Sequence, residues 1–276
     1  MAERTILLTG ATDGLGRAVA EALAADDVRL LLHGRNERRL ARTVADIRAA
    51  TGNDAVEGVL ADLASLDQVR GLADEVRRRT DRLDVLVNNA GIGSGEPDGR
   101  ERRTSADGHE LRFAVNHLAG FLLTLGLLPL LRASAPARVV NVASLGQAPL
   151  DFDDLMLERD YDGWRAYGQS KLAQILFTFE LASRLPAREV TVNALHPGTF
   201  MPTKMVLRER GSSVDTLETG VASVVRLVTD PGLDGVTGRF YDRTRESRVD
   251  EQAYDPAARK ELWNRSLDLT AAPNVR

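Results

Sequence analysis

Seven short apolar runs rich in Val, Leu and Ile alternate along the chain with longer stretches of helical periodicity. Strands separated by helices are joined by right-handed crossovers, which places the strands side by side in a parallel sheet. The sequence therefore predicts an α/β protein with a doubly wound, seven-stranded parallel sheet and helices on both faces. The runs are residues 5–8, 29–32, 55–60, 85–88, 138–142, 190–195 and 239–241.

Helix boundary signals agree with this pattern. Asn36 can cap a helix that follows the second run, and Gly52 can end that helix. No segment has the composition of a linker, and no repeat of fixed period occurs. We therefore expect a single domain over residues 1–276, with a cofactor half at about residues 1–140 and a substrate-binding and catalytic half at about 141–276.

Composition excludes several classes of function. The 276 residues include no cysteine, which rules out disulfides, a cysteine metal site and a thiol nucleophile. The formal charge of -4 argues against a nucleic-acid partner, and the four scattered histidines have no metal-ligand spacing. No signal segment is evident, so we expect a cytoplasmic protein. The longest apolar stretch, residues 121–131, is about half the ~20 residues of a membrane span and predicts a buried helix instead.

A glycine-rich turn follows the first run. Glycines let the backbone approach a pyrophosphate, which the N–H groups and the positive dipole end of the next helix would hold. Taken alone, these glycines could simply close a tight connection between strand and helix. The candidate cofactor contacts in this turn are Gly10, Thr12, Asp13, Gly14, Leu15 and Gly16.

The end of the second run supplies a second cofactor feature. A site for NAD usually has an acidic residue there for the ribose 2′-hydroxyl, whereas an Arg accommodates the 2′-phosphate of NADP. Arg35 is present and the acid is absent, so we expect NADP(H) in preference to NAD(H). A solvent-exposed Arg at the start of a helix, with no role in cofactor binding, would give the same sequence pattern. Asp62, followed by Leu63, could bond the adenine amino group or cap a helix.

A candidate catalytic group follows the fifth run. Tyr167 and Lys171 are four residues apart on a predicted helix, so they share one face. A phenol with a pKa near 10 needs a shift of ~3 units to act near neutrality, and a cation ~4 Å away supplies about that much. Ser144 could bond a substrate oxygen. Asn116, a polar residue in an apolar helix, could hold a water behind Lys171.

In order and over nearly the whole chain, these motifs resemble the short-chain dehydrogenase/reductase family. Residues 150–155, residues 161–167 and Leu262–Trp263 further resemble its retinol-dehydrogenase-like branch. The resemblance implies a single Rossmann-type domain and a catalytic tetrad of Asn116, Ser144, Tyr167 and Lys171. Tyr167 would exchange a proton with the substrate oxygen while a hydride moves between substrate and nicotinamide. The matching positions are Gly10, Gly14, Gly16, Asn88, Asn89, Ala90, Gly91, Asn116, Ser144, Tyr167, Lys171, Pro197 and Gly198.

One departure from the family pattern concerns the nicotinamide anchor. The family usually has a Thr four residues after the Gly of its Pro-Gly motif, and Pro202 stands there in this chain. Either Thr199 or Thr203 could take over that role, and we assign Thr199. We also expect cofactor contacts from Asn89, Ala90, Gly91, Tyr167, Lys171, Pro197 and Gly198.

Two irregular stretches, residues 145–163 and 199–213, follow the fifth and sixth runs, where open parallel sheets bind their ligands. If their large side chains line a pocket, the substrate is bulky and apolar; if they lie in the core, they say nothing about it. The second stretch could also be a mobile lid. These side chains are Phe152, Met156, Trp164, Phe200, Met201 and Met205.

The resulting expectation is an NADP(H)-dependent oxidoreductase that interconverts a carbonyl and an alcohol on a bulky, apolar small molecule. A reductase of C=C or imine bonds with the same fold, or a non-catalytic NADPH-binding regulator, would be the alternatives. We also expect a homo-oligomer, dimer or tetramer. An apolar helix face would permit self-association, although burial of that face within the monomer would give the same sequence pattern. The residues of this face are Leu172, Ile175, Leu176 and Phe179.

Overall fold

The apolar runs form the strands of one sheet in the computed structural model, which describes residues 4–95 and 99–274, with the backbone alone at residues 205, 209 and 210. The strand order is β3-β2-β1-β4-β5-β6-β7-β8. Strands β2 and β3 follow β1 toward one edge of the sheet, and strands β4 to β8 follow one another toward the other edge. The strand order therefore switches between β1 and β4. The strands are β1 Arg4–Leu8, β2 Val28–Gly34, β3 Val56–Leu60, β4 Val85–Asn88, β5 Ala137–Val142, β6 Val190–His196, β7 Phe240–Asp242 and β8 Arg245–Glu246.

The first seven strands are parallel, as predicted, but the sheet has eight strands and not seven. The additional strand, β8, pairs antiparallel with β7 through Tyr241↔Glu246 and Asp242↔Arg245. It consists of two exposed, charged residues at the edge of the sheet. Hydrophobic periodicity finds only strands that bury an apolar face, so a short charged edge strand leaves no such signal.

Eight α-helices lie between and after the strands. The predicted boundaries of the second helix are confirmed, because Asn36 Oδ1 accepts the Arg39 N–H at 2.9 Å and Gly52 ends the helix in the left-handed region, at φ 73°. The helices are α1 Gly14–Ala24, α2 Glu37–Thr51, α3 Leu66–Arg79, α4 Ala119–Ala133, α5 Gly163–Arg184, α6 Lys204–Arg210, α7 Leu217–Thr229 and α8 Pro256–Thr270. A π-helical segment, Phe113–Leu118, leads directly into α4.

Helices cover both faces of the sheet, so the chain forms a single Rossmann-like α/β domain. One hydrophobic cluster joins the sheet to α3, α4, α5 and α8 through residues such as Val69 and Phe121. The other joins it to α1, α2 and α7 through Val19, Ile47 and Val224. Both faces being buried explains why the strands read as continuous apolar runs and not as alternating ones.

The π-helical segment and α4 form one helical stretch, Phe113–Ala133. Within residues 4–95 and 99–274, it is the one helix long and apolar enough to cross a membrane by length and composition. Its most apolar window is 78% buried inside the protein. That burial is typical of a central helix packed between a sheet and its neighbouring helices.

The apolar face of α5 is buried within the monomer. Leu172, Ile175 and Leu176 are 0% exposed. Phe179 packs against Tyr254, with ring centroids 5.7 Å apart. The face that suggested self-association is therefore occupied within the monomer, and the homo-oligomer stays a prediction without an assigned surface.

Candidate active site

A cavity of about 590 Å³ lies beyond the carboxyl ends of the strands, at the switch point between β1 and β4. Its volume is in the range of small-molecule sites. It runs from the glycine-rich turn to the start of α5 and the segment after β6. Every predicted cofactor residue lines it: Gly10, Thr12, Asp13, Gly14, Leu15, Gly16, Arg35, Asp62, Leu63, Asn89, Ala90, Gly91, Tyr167, Lys171, Pro197, Gly198 and Thr199.

The conformation of the glycine-rich turn depends on its glycines. Gly10 and Gly14 have φ values of +67° and +51°, which side chains disfavour. A Cβ on Gly16 would lie 2.2 Å from the Gly10 carbonyl oxygen. Asp13 caps α1 by accepting the Gly14 N–H at 2.9 Å. The first turn of α1 is thus presented to the cavity as a phosphate-binding helix end requires.

Thr9 and Asn89 hold this turn against the loop after β4. The Thr9 hydroxyl oxygen accepts the N–H groups of Asn89 and Ala90, at 2.9 and 3.0 Å. In return, Asn89 Nδ2 donates to the Thr9 carbonyl at 2.8 Å. This role of Thr9 was not predicted from the sequence, although Thr9 stands directly before the first glycine of the turn.

His33, at the end of β2, supports the turn from the other side. Its Nδ1 accepts the Gly10 N–H at 3.2 Å, so Nε2 carries the proton and donates to the Ala61 carbonyl at 3.0 Å. Burial lowers the pKa of His33, which keeps the imidazole in the neutral form that this arrangement needs. Nothing local in the sequence distinguishes this histidine from a core histidine.

Arg35 is exposed and lines the cavity next to the end of β2. Asp62 lies farther along the same wall, where its Oδ1 accepts the Ala64 N–H at 3.0 Å. The suggestion that Asp62 caps the following helix is wrong, because Ser65 is the cap of α3 and accepts the Gln68 N–H.

Tyr167 and Lys171 lie on one face of α5, as their spacing predicts, and both line the cavity. Lys171 Nζ is 5.8 Å from the centroid of the Tyr167 ring. The indole of Trp164, one turn earlier, stacks on Tyr167 with a centroid distance of 5.9 Å and an interplanar angle of 21°. The ring of Tyr167 is therefore held between an aromatic surface and an amine.

Ser144 follows β5 and faces Tyr167. Its Oγ accepts the Gly146 N–H at 3.0 Å, which leaves its own proton available for donation. A Cβ on Gly146 would lie 3.4 Å from Ser144 Oγ and 3.5 Å from a ring carbon of Tyr167, so the two side chains border the same space. A substrate oxygen in that space could bond both groups. Gly146 is a further residue that the sequence interpretation missed.

Asn116 lies in the π-helical segment and does not line the cavity. Its Oδ1 accepts the Ile92 N–H at 2.8 Å, and its Nδ2 donates to the Ile92 carbonyl at 3.1 Å and to Ser170 Oγ at 2.9 Å. Its side chain therefore ties the loop after β4 to α5. The structure thus gives this amide partners other than the expected water.

Lys171 is 6% exposed, and burial lowers the pKa of its amine to about 7. Its Nζ donates to the Val142 carbonyl at 2.9 Å and to Gln174 Oε1 at 3.0 Å. From the sequence alone, Lys171 is expected to be a cation at all pH values near neutrality. In the structure, its charge near neutrality depends on the acceptors around it.

Comparisons with known proteins agree with this geometry. The model of the short chain dehydrogenase family matches residues 4–212, about three quarters of the chain. This chain is a short-chain dehydrogenase. The dehydrogenase belongs to a family that uses a nicotinamide cofactor and acts on CH–OH and C=O groups. Its glycine turn, helix end and continuous cavity fit such a cofactor.

Among curated proteins, this dehydrogenase is similar to retinol dehydrogenases. Mouse (Mus musculus) retinol dehydrogenase 14 is 36% identical over 95% of this chain and 84% of its own length. Human (Homo sapiens) retinol dehydrogenase 13 is 36% identical over 99% of this chain and 87% of its own length. Human polyprenol dehydrogenase is 32% identical over 99% of this chain and 87% of its own length.

Solved structures show the same fold. An uncharacterized protein from Mycobacterium paratuberculosis has a TM-score of 0.77 and 29% identity, covering 99% of this dehydrogenase and 96% of that chain. A short chain dehydrogenase from Escherichia coli CFT073, solved in complex with NADPH, has a TM-score of 0.70 and 27% identity, covering 87% and 96%.

The segment after β6 forms the remaining wall of the dehydrogenase cavity. The Thr199 N–H donates to Asp215 Oδ2 at 2.6 Å, and its hydroxyl contacts His196 Nε2 at 3.0 Å. Burial lowers the pKa of His196 to about 4. Thr203 also lines the cavity, and it caps α6 by accepting the Val206 N–H. Both candidates for the nicotinamide anchor thus reach the cavity.

Some of the large side chains in the two irregular stretches line the cavity, and others pack in the hydrophobic core. Trp164, Phe200 and Met201 line the cavity. Phe152 and Met156 instead pack against the hydrophobic cluster below it. The side chain of residue 205, Met205, lies outside the described part of the structure.

Proposed function

We propose that this dehydrogenase is NADP(H)-dependent and interconverts a carbonyl and an alcohol on a bulky, apolar small molecule, with Tyr167 as general acid and base. One observation carries the proposal. Ser144 and Tyr167 border the same space in a cavity that begins at the glycine-rich turn, with the Lys171 amine beside the Tyr167 ring.

Each side chain has a distinct role in the proposed reaction. The nicotinamide supplies or accepts the hydride. Ser144 donates its hydroxyl proton to the substrate oxygen and orients it. Tyr167 gives its proton to that oxygen during reduction and takes it back during oxidation. A protonated Lys171 stabilises the phenolate that reduction leaves behind. Asn116 holds the loop and α5 in place behind these groups.

Two observations support a preference for NADP(H). Arg35 lines the cavity at the end of β2, where a guanidinium can pair with a 2′-phosphate. A solved relative of the same fold carries NADPH. Arg35 is exposed, so its side chain can reorient toward a bound phosphate at little cost in packing.

An apolar substrate is supported by three large apolar side chains in the cavity wall. Trp164, Phe200 and Met201 line the cavity, and the Trp164 side chain is 54% exposed. A large exposed aromatic residue in a cavity is typical of sites that bind apolar groups. Three similar proteins are named for retinol and polyprenol, which are apolar alcohols.

The first prediction concerns Tyr167→Phe. We expect turnover to fall by about 100-fold or more, because the phenol proton has no replacement. NADPH affinity should stay within about twofold. The measurement is NADPH oxidation over a panel of aldehydes, ketones and enones of increasing apolar size, with NADPH binding followed by fluorescence.

Tyr254→Phe is the matched control, since Tyr254 is 40% exposed and does not line the cavity. We expect it to retain full turnover. If Tyr167→Phe turns over the same substrates as fast as the unmodified enzyme, the assigned acid is wrong. Activity confined to enones would favour the C=C reductase alternative.

A further inference from the structure

The Lys171 amine has two acceptors inside the protein, and one of them is a side chain. Nζ donates to the Val142 carbonyl at 2.9 Å and to Gln174 Oε1 at 3.0 Å. An ammonium group has three donors and no acceptor, so Gln174 must present its oxygen. Gln174 is 4% exposed and does not line the cavity.

The backbone of Gln174 is held independently of its side chain. Thr178 Oγ1 donates to the Gln174 carbonyl at 2.7 Å and accepts from Asn141 Nδ2 at 2.8 Å. Asn141 lies in β5, so this chain of bonds sets the position of α5 against the sheet. A substitution at Gln174 therefore changes what Lys171 contacts without removing these bonds.

We propose that Gln174 is a positioning residue for the reaction: its side-chain oxygen directs the Lys171 amine and stabilises its protonated form. This inference rests on the proposed function, in which that protonated form stabilises the phenolate of Tyr167. With two donors occupied by Val142 and Gln174, the third can point toward the cavity that Lys171 lines.

Apart from the Val142 carbonyl, the groups described around Lys171 do not supply this stabilisation. In the described part of the chain, the titratable groups that face it are Tyr167 on α5 and His196 at the end of β6. Burial keeps His196 neutral near pH 7, since its pKa is about 4. Gly91 and Asn116, which approach from the loop after β4 and from the π-helical segment, carry no charge.

Two substitutions at Gln174 should move the pH dependence in opposite directions. Gln174→Leu removes an acceptor from a buried ammonium, so the Lys171 pKa should fall and the basic limb of the kcat profile should move to lower pH. Gln174→Glu keeps the side-chain shape and adds a negative charge, so that limb should move to higher pH. Each displacement should be about one to two pH units.

The experiment measures kcat and KM for NADPH oxidation between pH 5 and 10, with the best carbonyl substrate from the panel above. Gln169→Leu is the matched control. It is the same substitution on the same helix at a residue that is 1% exposed, but its amide oxygen accepts the Asp151 N–H and not Lys171. We expect it to lower stability without displacing the pH profile.

A second readout needs no substrate. The chain contains three lysines, Lys171, Lys204 and Lys260. Competitive acetylation, followed by peptide mass spectrometry, measures how the reactivity of Lys171 rises with pH, with the other two as internal references. The midpoint for Lys171 should move down in Gln174→Leu and up in Gln174→Glu.

Displacements in the same direction, or none in a folded Gln174→Glu protein, would overturn the positioning role. Gln174→Glu carries the test alone if Gln174→Leu does not fold. The two proposals fail separately. An active Tyr167→Phe variant removes the proposed acid even if the lysine midpoints move, whereas an inactive one with unmoved midpoints removes only the role of Gln174.

Discussion

At the scale of single residues, charge at the adenosine end of the cavity decides cofactor preference. Arg35 lines that end, while Asp13 is ion-paired with Lys204 at 2.8 Å. A guanidinium donates two parallel hydrogen bonds to the charged 2′-phosphate of NADP. The 2′-hydroxyl of NAD is uncharged and interacts with a guanidinium more weakly. The proposed preference for NADP(H) therefore depends on whether Arg35 pairs with the 2′-phosphate.

Arg35→Asp should weaken NADPH binding by about 10-fold to 100-fold, because it removes hydrogen bonds to a charged group. NADH binding should change by less than about threefold. Titration of both cofactors by fluorescence measures this. Arg38→Asp is the control, with the same charge change at an exposed residue outside the cavity. Equal losses for NADPH and NADH would remove the 2′-phosphate assignment.

At the scale of elements, α8 braces α5, the helix that carries the proposed catalytic pair Tyr167 and Lys171. Trp263 of α8 is 2% exposed and stacks on Phe177 of α5 at 6.2 Å. The guanidinium of Arg184, at the end of α5, lies 4.2 Å from the centroid of the Trp263 ring. The C-terminal helix thus packs directly against α5 through Trp263.

Trp263→Ala should lower the free energy of unfolding by about 3–5 kcal/mol, since it leaves a large cavity between α5 and α8. Trp164→Ala is the matched control, because that indole is 54% exposed. We expect it to cost less than about 1 kcal/mol. Urea unfolding followed by circular dichroism gives both values, and similar losses would contradict the bracing role of α8.

At the scale of the whole molecule, burial makes several basic groups harder to protonate than they are in the unfolded chain. Burial lowers the pKa of His117 to about 3, of His196 to about 4 and of Lys171 to about 7. The unfolded chain therefore binds more protons than the folded one in the window below each ordinary pKa. Stability rises with pH wherever that difference exists.

The free energy of unfolding should accordingly fall as the pH drops from about 6.5 to about 4, by about 1.4 kcal/mol per pH unit for each histidine. Because the pKa of Lys171 is lowered from 10.5 to about 7, the free energy of unfolding should also rise with pH between these two values. Urea unfolding between pH 4.5 and 7 measures the slope. His117→Gln should reduce the slope by the share of one histidine, about 1.4 kcal/mol per pH unit, and an unchanged slope would show that His117 does not contribute.

The sequence could predict features that depend on short separations along the chain. The seven parallel strands, the Asn36 and Gly52 boundaries and the shared face of Tyr167 and Lys171 follow from local periodicity and capping. Those features bring together a glycine turn and the proposed catalytic pair because the carboxyl ends of parallel strands meet at one edge of the sheet.

Tertiary structure alone decided the rest, because it depends on residues far apart in sequence or on burial. The charged β8 forms only because β7 offers an edge. Phe177 of α5 is buried against Trp263 only because α8 returns to it. The proton affinity of Lys171 is set by desolvation and by acceptors on two elements, whereas the sequence by itself determined only that this lysine stands one helical turn from Tyr167.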